Sequence, residues 1–313
     1  MLNIYRTDDG IISELTEFTD GIWVKLTAPT KEEGERVSKA FDIDFDDIRA
    51  ALDEEESSRI SLEDGYTLIL VDIPAPEIRH EKTVYTTVPL GILLTQNVII
   101  TVCNENTPIL NYFTGRKLKD FSTKKKMRFV YQILMRTSML YQSYLKLIDQ
   151  KRTEIEERVG EDTEDVDVID LHELESTLVY FATSLRANGI VLERLQRYKR
   201  LMQYPEDMEL LEDVIIENRQ GIEMAQIYRD IIDGTRQLLS SVIDNRLNNV
   251  MKYLTSITLV MAVPTVISGL YGMNVDGKWM PLSSTPHGFM IICVLTLIIC
   301  IVVMILLRRK KML

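Results

Sequence analysis

The sequence predicts an α+β membrane protein: an N-terminal cytosolic α/β domain, a long helical coiled-coil stalk and two C-terminal transmembrane helices. Three observations predict it. Residues 253–275 and 279–307 contain no Asp, Glu, Lys or Arg, in a chain of which 27% is charged. From about residue 123 onward, apolar residues recur at heptad spacing. Before about residue 115, stretches rich in β-branched and aromatic residues alternate with helix-start signals.

Taken in order, residues 22–26, 67–71, 85–90 and 97–102 read as strands. Thr30 followed by Glu33 is a capping box that opens a helix to about Phe41. A short helix starts near Asp44, and another near Thr107-Pro108, where proline suits the first helical turn. Met127, Tyr131, Leu134, Tyr141, Leu145 and Ile148 form one apolar stripe. Leu171, Leu174, Leu178, Phe181, Leu185, Leu192 and Leu195 form a second, so an antiparallel coiled-coil pairing is expected. Tyr204-Pro205 interrupts the pattern. A third helical pattern then runs from Glu206 without proline to Val263, only modestly weakened by Gly221 and Gly234. With the first span it covers roughly 65 residues, or about 100 Å at 1.5 Å per residue. The expected division is 1–118 α/β domain, 119–252 helical hairpin and stalk, 253–272 first span, 273–288 external loop, 289–307 second span and 308–313 basic tail.

A transmembrane helix needs about 20 apolar residues. Residues 254–272 supply 19 uncharged positions, and 290–307 supply 18, nearly all Ile, Leu, Val, Met or Cys. Arg246 and Lys252 precede the first span, and Arg308, Arg309, Lys310 and Lys311 follow the second; the link carries only Lys278, offset by Asp276. Basic residues stay on the cytoplasmic side, which places both termini in the cytoplasm and Asn274 outside, in the inner (plasma) membrane. The N-terminus lacks the apolar segment of a signal peptide.

The second span is apolar all round, but the first carries a stripe. Asn248, Met251, Thr255, Thr258, Ala262, Thr265, Gly269 and Gly272 step by alternating threes and fours and share one helix face. One reading is helix–helix packing through small residues. The other is a face lining a water-filled path, which suits the amide and hydroxyl side chains. Two helices cannot enclose a pore, so a path would require several copies around an axis. Neither span holds an ionisable Asp, Glu, Lys or Arg, which argues against a proton-coupled carrier.

Tyr271-Gly272-Met273-Asn274 closes the first of only two C-terminal spans, follows a Pro264-Thr265 pair, and is succeeded by the Arg308-Arg309-Lys310-Lys311 tail. In these features, and in its order of parts along the whole chain, the sequence resembles the CorA magnesium-channel family. The resemblance implies a homopentamer in the lipid bilayer that passes divalent cations, with Mg²⁺ both transported and regulatory and no organic cofactor. It implies that Gly272, Met273 and Asn274 form the selectivity filter, where a ring of side-chain oxygens holds a hydrated ion that releases its water reluctantly; Met273 would pack to hold the turn. It also implies a hydroxyl ring at Thr265, a hydrophobic constriction at Leu254 and Met251, a polar ring at Asn248, and intracellular Mg²⁺ held between subunits by Asp47 and Asp213. The chain departs from the pattern in three places. Ala262 stands where some members have Met, Gln237 where some have an acidic ligand, and Met280-Pro281 lacks the Glu that often follows, leaving Asp276 to attract cations.

Charge is unevenly placed. With 36 basic and 47 acidic residues the net is −11, which disfavours a nucleic-acid partner. Residues 154–175 contain 11 acidic residues and one Arg. They read as a solvated hairpin tip or, by resemblance, as a surface that collects cations. The basic tail reads as a topogenic anchor or as a ring around the pore, and Asp47 and Asp213 as regulatory ligands or ordinary surface carboxylates. His80, His172 and His287 are scattered, Cys103, Cys293 and Cys300 lack metal-site spacing, and no phosphate loop, dinucleotide fingerprint or nucleophile elbow occurs, so no enzyme is expected. The expected function is Mg²⁺ influx down the electrochemical gradient, gated by intracellular Mg²⁺. The alternatives are Zn²⁺, Co²⁺ or Ni²⁺ transport on the same architecture, or a membrane-anchored coiled-coil scaffold.

Overall fold

The computed structural model describes residues 1–8, 10–79, 82–115, 121–158, 165–198, 204–282 and 285–310. His80, Lys311 of the basic tail, the acidic Glu161, Asp162 and Glu164, and the expected boundary at residue 118 lie outside the described residues. The chain forms two compact units, Met1–Arg236 and Gln237–Leu313.

The first unit is built on a seven-stranded sheet of β1 (Leu2–Asp8), β2 (Ile11–Leu15), β3 (Ile22–Thr27), β4 (Arg59–Leu62), β5 (Tyr66–Arg79), β6 (Lys82–Thr95) and β7 (Ile99–Cys103), in the order β2-β1-β3-β7-β6-β5-β4. Within this sheet β3 and β7 pair in parallel, and the other neighbours are antiparallel. β5 and β6 run to 14 residues each, well past the expected strands. They do so despite Pro74, Pro76 and Pro89, because β4 pairs only with 67–70 of β5 and β7 only with 90–94 of β6. Beyond those registers each strand has a free edge, where a missing N–H costs no ladder bond. β1, β2 and β4 add to the expected strands. They are short or half-exposed and carry polar residues, so their hydrophobic signal is weak.

One sheet face is covered by α1 (Lys31–Phe41) and α2 (Phe45–Ala50), where Val37, Ile48 and Ala51 share a core with Leu68, Leu70 and Leu93. The expected capping box is present, with Thr30 Oγ1 accepting from the Glu33 N–H and the Glu33 side chain accepting from the Thr30 N–H. Gly91 is required by close approach: a Cβ there would sit 2.4 Å from that of Ala51.

The other face carries α3 (Pro108–Thr114), α4 (Lys126–Arg158), α5 (Asp165–Arg197) and the first turns of α6 (Pro205–Tyr271). Both expected apolar stripes are buried. Tyr144 and Thr177 both meet Tyr85, while Tyr141 and Asn188 both meet Asp72, so α4 and α5 run in opposite directions. The stripes do not serve only each other. Asn188 exchanges hydrogen bonds with the Asp72 backbone at 2.7 and 2.9 Å, and Tyr141 donates to the same carbonyl, so the helix pair is fastened to the sheet. In the second unit the rest of α6 is followed by a short turn, Gly277–Trp279, and by α7 (Gly288–Arg309). α6 and α7 are each long and apolar enough to cross a membrane.

Candidate functional site

The membrane-length parts of α6 and α7 define a face. On α6, Ser256 is buried and Val260, Val263, Pro264, Ile267 and Tyr271 are partly covered. On α7, Leu307 is buried and Ile292, Thr296, Ile299, Cys300 and Val303 are partly covered. Both sets step by threes and fours, the signature of one helix face. Asn248, Met251, Leu254, Thr255, Thr258, Ala262, Thr265, Gly269 and Gly272 are all exposed. At 3.6 residues per turn the exposed stripe is centred roughly 180° from the covered set. The chain's own second span therefore occupies the opposite side, and packing of the stripe against it is excluded.

The hydroxyls on the stripe have a defined polarity. Thr258 Oγ1 donates to the Leu254 carbonyl at 2.8 Å, and Thr265 Oγ1 donates to that of Met261 at 2.9 Å. With the proton committed to the helix, each oxygen offers lone pairs outward. Such oxygens suit the outward-pointing hydrogens of a hydrated cation.

The helix ends where the sequence places the Gly-Met-Asn segment. The Gly272 N–H reaches Ser268 O at 2.9 Å as the last regular bond, and a Cβ at Gly272 would lie 3.2 Å from that oxygen. Met273, expected to pack and hold the turn, is 55% exposed. The turn is held elsewhere: Tyr271 OH donates to Pro281 O at 2.9 Å, strapping the helix end to the returning loop. Asn274 is exposed within this strap. Asp276 Oδ1 accepts from the Lys278 N–H at 3.2 Å, capping the short turn while remaining exposed.

In the first unit Asp47 is partly covered and its Oδ2 accepts a 2.5 Å hydrogen bond from Tyr66 OH. Burial and this bond push the Tyr66 phenol up to about 12, so it remains a donor. Asp213 is exposed on α6 in a groove with Tyr112, Arg136, Met139 and Glu217. Asp47 and Asp213 stand on different elements, and among the described residues no cluster of three or more His, Cys, Asp or Glu side chains is poised for a metal. In the acidic stretch, Asp170 pairs with Lys82, Glu175 with Arg236 and Glu156 with Arg152. Part of its charge is thus matched by cations, which counts against a bare cation-collecting surface. Arg308, Arg309 and Lys310 are exposed at the end of α7. Sequence reasoning misses Tyr66 and the Tyr271–Pro281 strap, which join residues with no shared periodicity.

A sheet-and-helix unit leading to two membrane-length helices, the first with an uncovered polar face, defines a two-span membrane transport protein. A family model described as CorA-like Mg²⁺ transporter protein matches residues 19–309. The cobalt/magnesium transport protein CorA of Methanocaldococcus jannaschii is 31% identical over 299 residues, covering 92% of this chain and 90% of that one. The protein of the same name from Thermotoga maritima is 23% identical, over 98% and 88% of the two chains. The complete structure of the M. jannaschii transporter superposes with a TM-score of 0.83 at 26% identity, covering 99% of this chain and 98% of that one. A full-length CmaX structure shares the fold, with a TM-score of 0.69 at 17% identity over 98% and 97%. The chain belongs to the CorA-like Mg²⁺ transporter family.

Proposed function

We propose that the protein is a homopentameric channel for Mg²⁺ influx, with the stripe of α6 lining a central path and closure by intracellular Mg²⁺. The observation that carries this reading is the polar face of α6 left bare on the side opposite α7. A bilayer disfavours polar oxygens turned to lipid, and a shared aqueous axis between identical copies offers water to their remaining lone pairs. In this reading Gly272, Met273 and Asn274 select the hydrated ion at the outer mouth. Thr265, Thr258 and Thr255 line the path, Leu254 and Met251 narrow it, and Asn248 rims the inner end. Both termini lie in the cytoplasm, with 273–288 outside and the 308–313 tail inside. Asp47 of one subunit and Asp213 of its neighbour share regulatory Mg²⁺ through carboxylates and water, which fits the ion's chemistry. Co²⁺ is a second cargo to test, since both relatives carry cobalt in their names.

The test is uptake by purified protein in liposomes, with Mg²⁺ inside or outside and Co²⁺, Ni²⁺ and Zn²⁺ as competitors. Uptake driven by the gradient is expected, with Asn274→Ala abolishing it while the oligomer persists. No uptake of any divalent cation by the wild type would leave the scaffold reading in its place.

A further inference from the structure

At the foot of α6 three polar groups lie inside the protein without partners. Arg128 Nε and Tyr131 OH come from the first turns of α4, and Asp207 Oδ1 from the first turn of α6; each is buried and makes no hydrogen bond. Tyr131 is fully buried and Asp207 only 2% exposed. Two are donors and one is an acceptor, so the set is complementary. The groups also feel one another. Burial, helped by the Asp207 charge, pushes the Tyr131 phenol up to about 12. Burial raises the Asp207 carboxyl, while Arg128 and Lys125 oppose that rise and Glu206 adds to it.

Arg128 meanwhile holds the adjacent carboxylate: its Nη1 donates to Glu206 Oε2 at 3.1 Å, and the Glu206 side chain is 75% exposed. Lys125 Nζ stands over the Tyr204 ring at 5.5 Å. An exposed ion pair contributes little, whereas charge-assisted hydrogen bonds inside a protein are strong. Leaving buried partners unmade is costly, and the Arg128–Glu206 bond sets the first turn of α6, which carries Asp207, against the first turns of α4.

We propose that Arg128, Tyr131 and Asp207 form a two-position latch at the start of α6. In the position the structure holds, Arg128 engages Glu206 and the buried bonds are open. A small shift of the first turn exchanges Glu206 for Asp207, whose carboxylate then accepts from Tyr131 OH and Arg128 Nε. The two positions differ by one exposed pair against two buried bonds, with Asp207 desolvated in both. Events further along α6, such as cation capture at Asp213 six residues on, are then able to tip the balance. The latch rests on packing within Met1–Arg236 and stands or falls separately from the transport reading.

Hydrogen–deuterium exchange of the α6 amides at 208–213, in the full-length protein in detergent, tests it. A closed latch protects these amides. The wild type rests in the open position, so Glu206→Gln, which frees Arg128 for Asp207, should slow their exchange by about fivefold, and Tyr131→Phe added to Glu206→Gln should return it to within about twofold of the wild type. A slowing that Tyr131→Phe reverses supports the latch. Exchange of Glu206→Gln within about twofold of the wild type overturns it, as does a slowing that persists in the double variant. If the double variant fails to fold, the solvent-exposed Glu206→Gln decides alone, and an unchanged rate sinks the latch.

Discussion

The thiol of Cys300 on α7 lies 3.8 Å from the carbonyl oxygen of Val260, the carbonyl that Pro264 leaves without its helical N–H. Proline four residues on cannot donate, and in a membrane a neighbouring helix must supply the missing donor. A thiol is a weak donor, but it is placed at the gap that proline opens in the ladder. Cys300→Ser should therefore be at least as stable as the wild type, while the similarly sized Cys300→Val should lose about 0.6 kcal/mol. Unfolding of the detergent-solubilised protein measures both; equal stability of Val and Cys would show that the contact contributes nothing.

The two faces of α6 make opposite predictions about water. In a background where Cys293 and Cys300 are replaced by Ala, Thr258→Cys and Thr265→Cys should react with a charged, membrane-impermeant thiol reagent. Val263→Cys and Ile267→Cys, on the face turned to α7, should react roughly tenfold more slowly, since thiolate forms only where water reaches. Equal rates on both faces would mean that the stripe is not wetted.

Removing the strap at the end of α6 should disturb the proposed filter without unfolding the protein. Tyr271→Phe deletes the hydrogen bond to Pro281. Such a bond contributes about 1 kcal/mol net, so Mg²⁺ uptake should fall about fivefold with the melting temperature little changed. Unaltered uptake would leave the loop position to other contacts.

Tyr66 orients Asp47 with a 2.5 Å hydrogen bond. Tyr66→Phe keeps the ring and frees the carboxylate to rotate. If Asp47 is a regulatory ligand, the internal Mg²⁺ needed for half-closure should rise about threefold to tenfold, in proportion to about 1 kcal/mol of lost preorganisation. An Asp47→Ala variant should show a larger rise, and no change in either would return Asp47 to the ordinary surface.

Features whose signal is local are legible in the bare chain. The Thr30–Glu33 cap, the Thr107-Pro108 helix start, the break at Tyr204-Pro205 from which α6 begins, the buried stripes of α4 and α5 and the two charge-free spans are all written in residues close together. The tail of β5 past Pro74 is not legible, because prolines mark a break until the register shows a free edge. β1, β2 and β4 are hidden by mixed polarity. Which side of α6 its own second span covers is a matter of folding in three dimensions. Periodicity shows that residues share a face but not what lies against it; that depends on the angle at which α7 returns. Likewise Tyr66 and Asp47, or Cys300 and Val260, meet through the geometry of packing, because distant side chains carry no mark along the chain of the partner they will find.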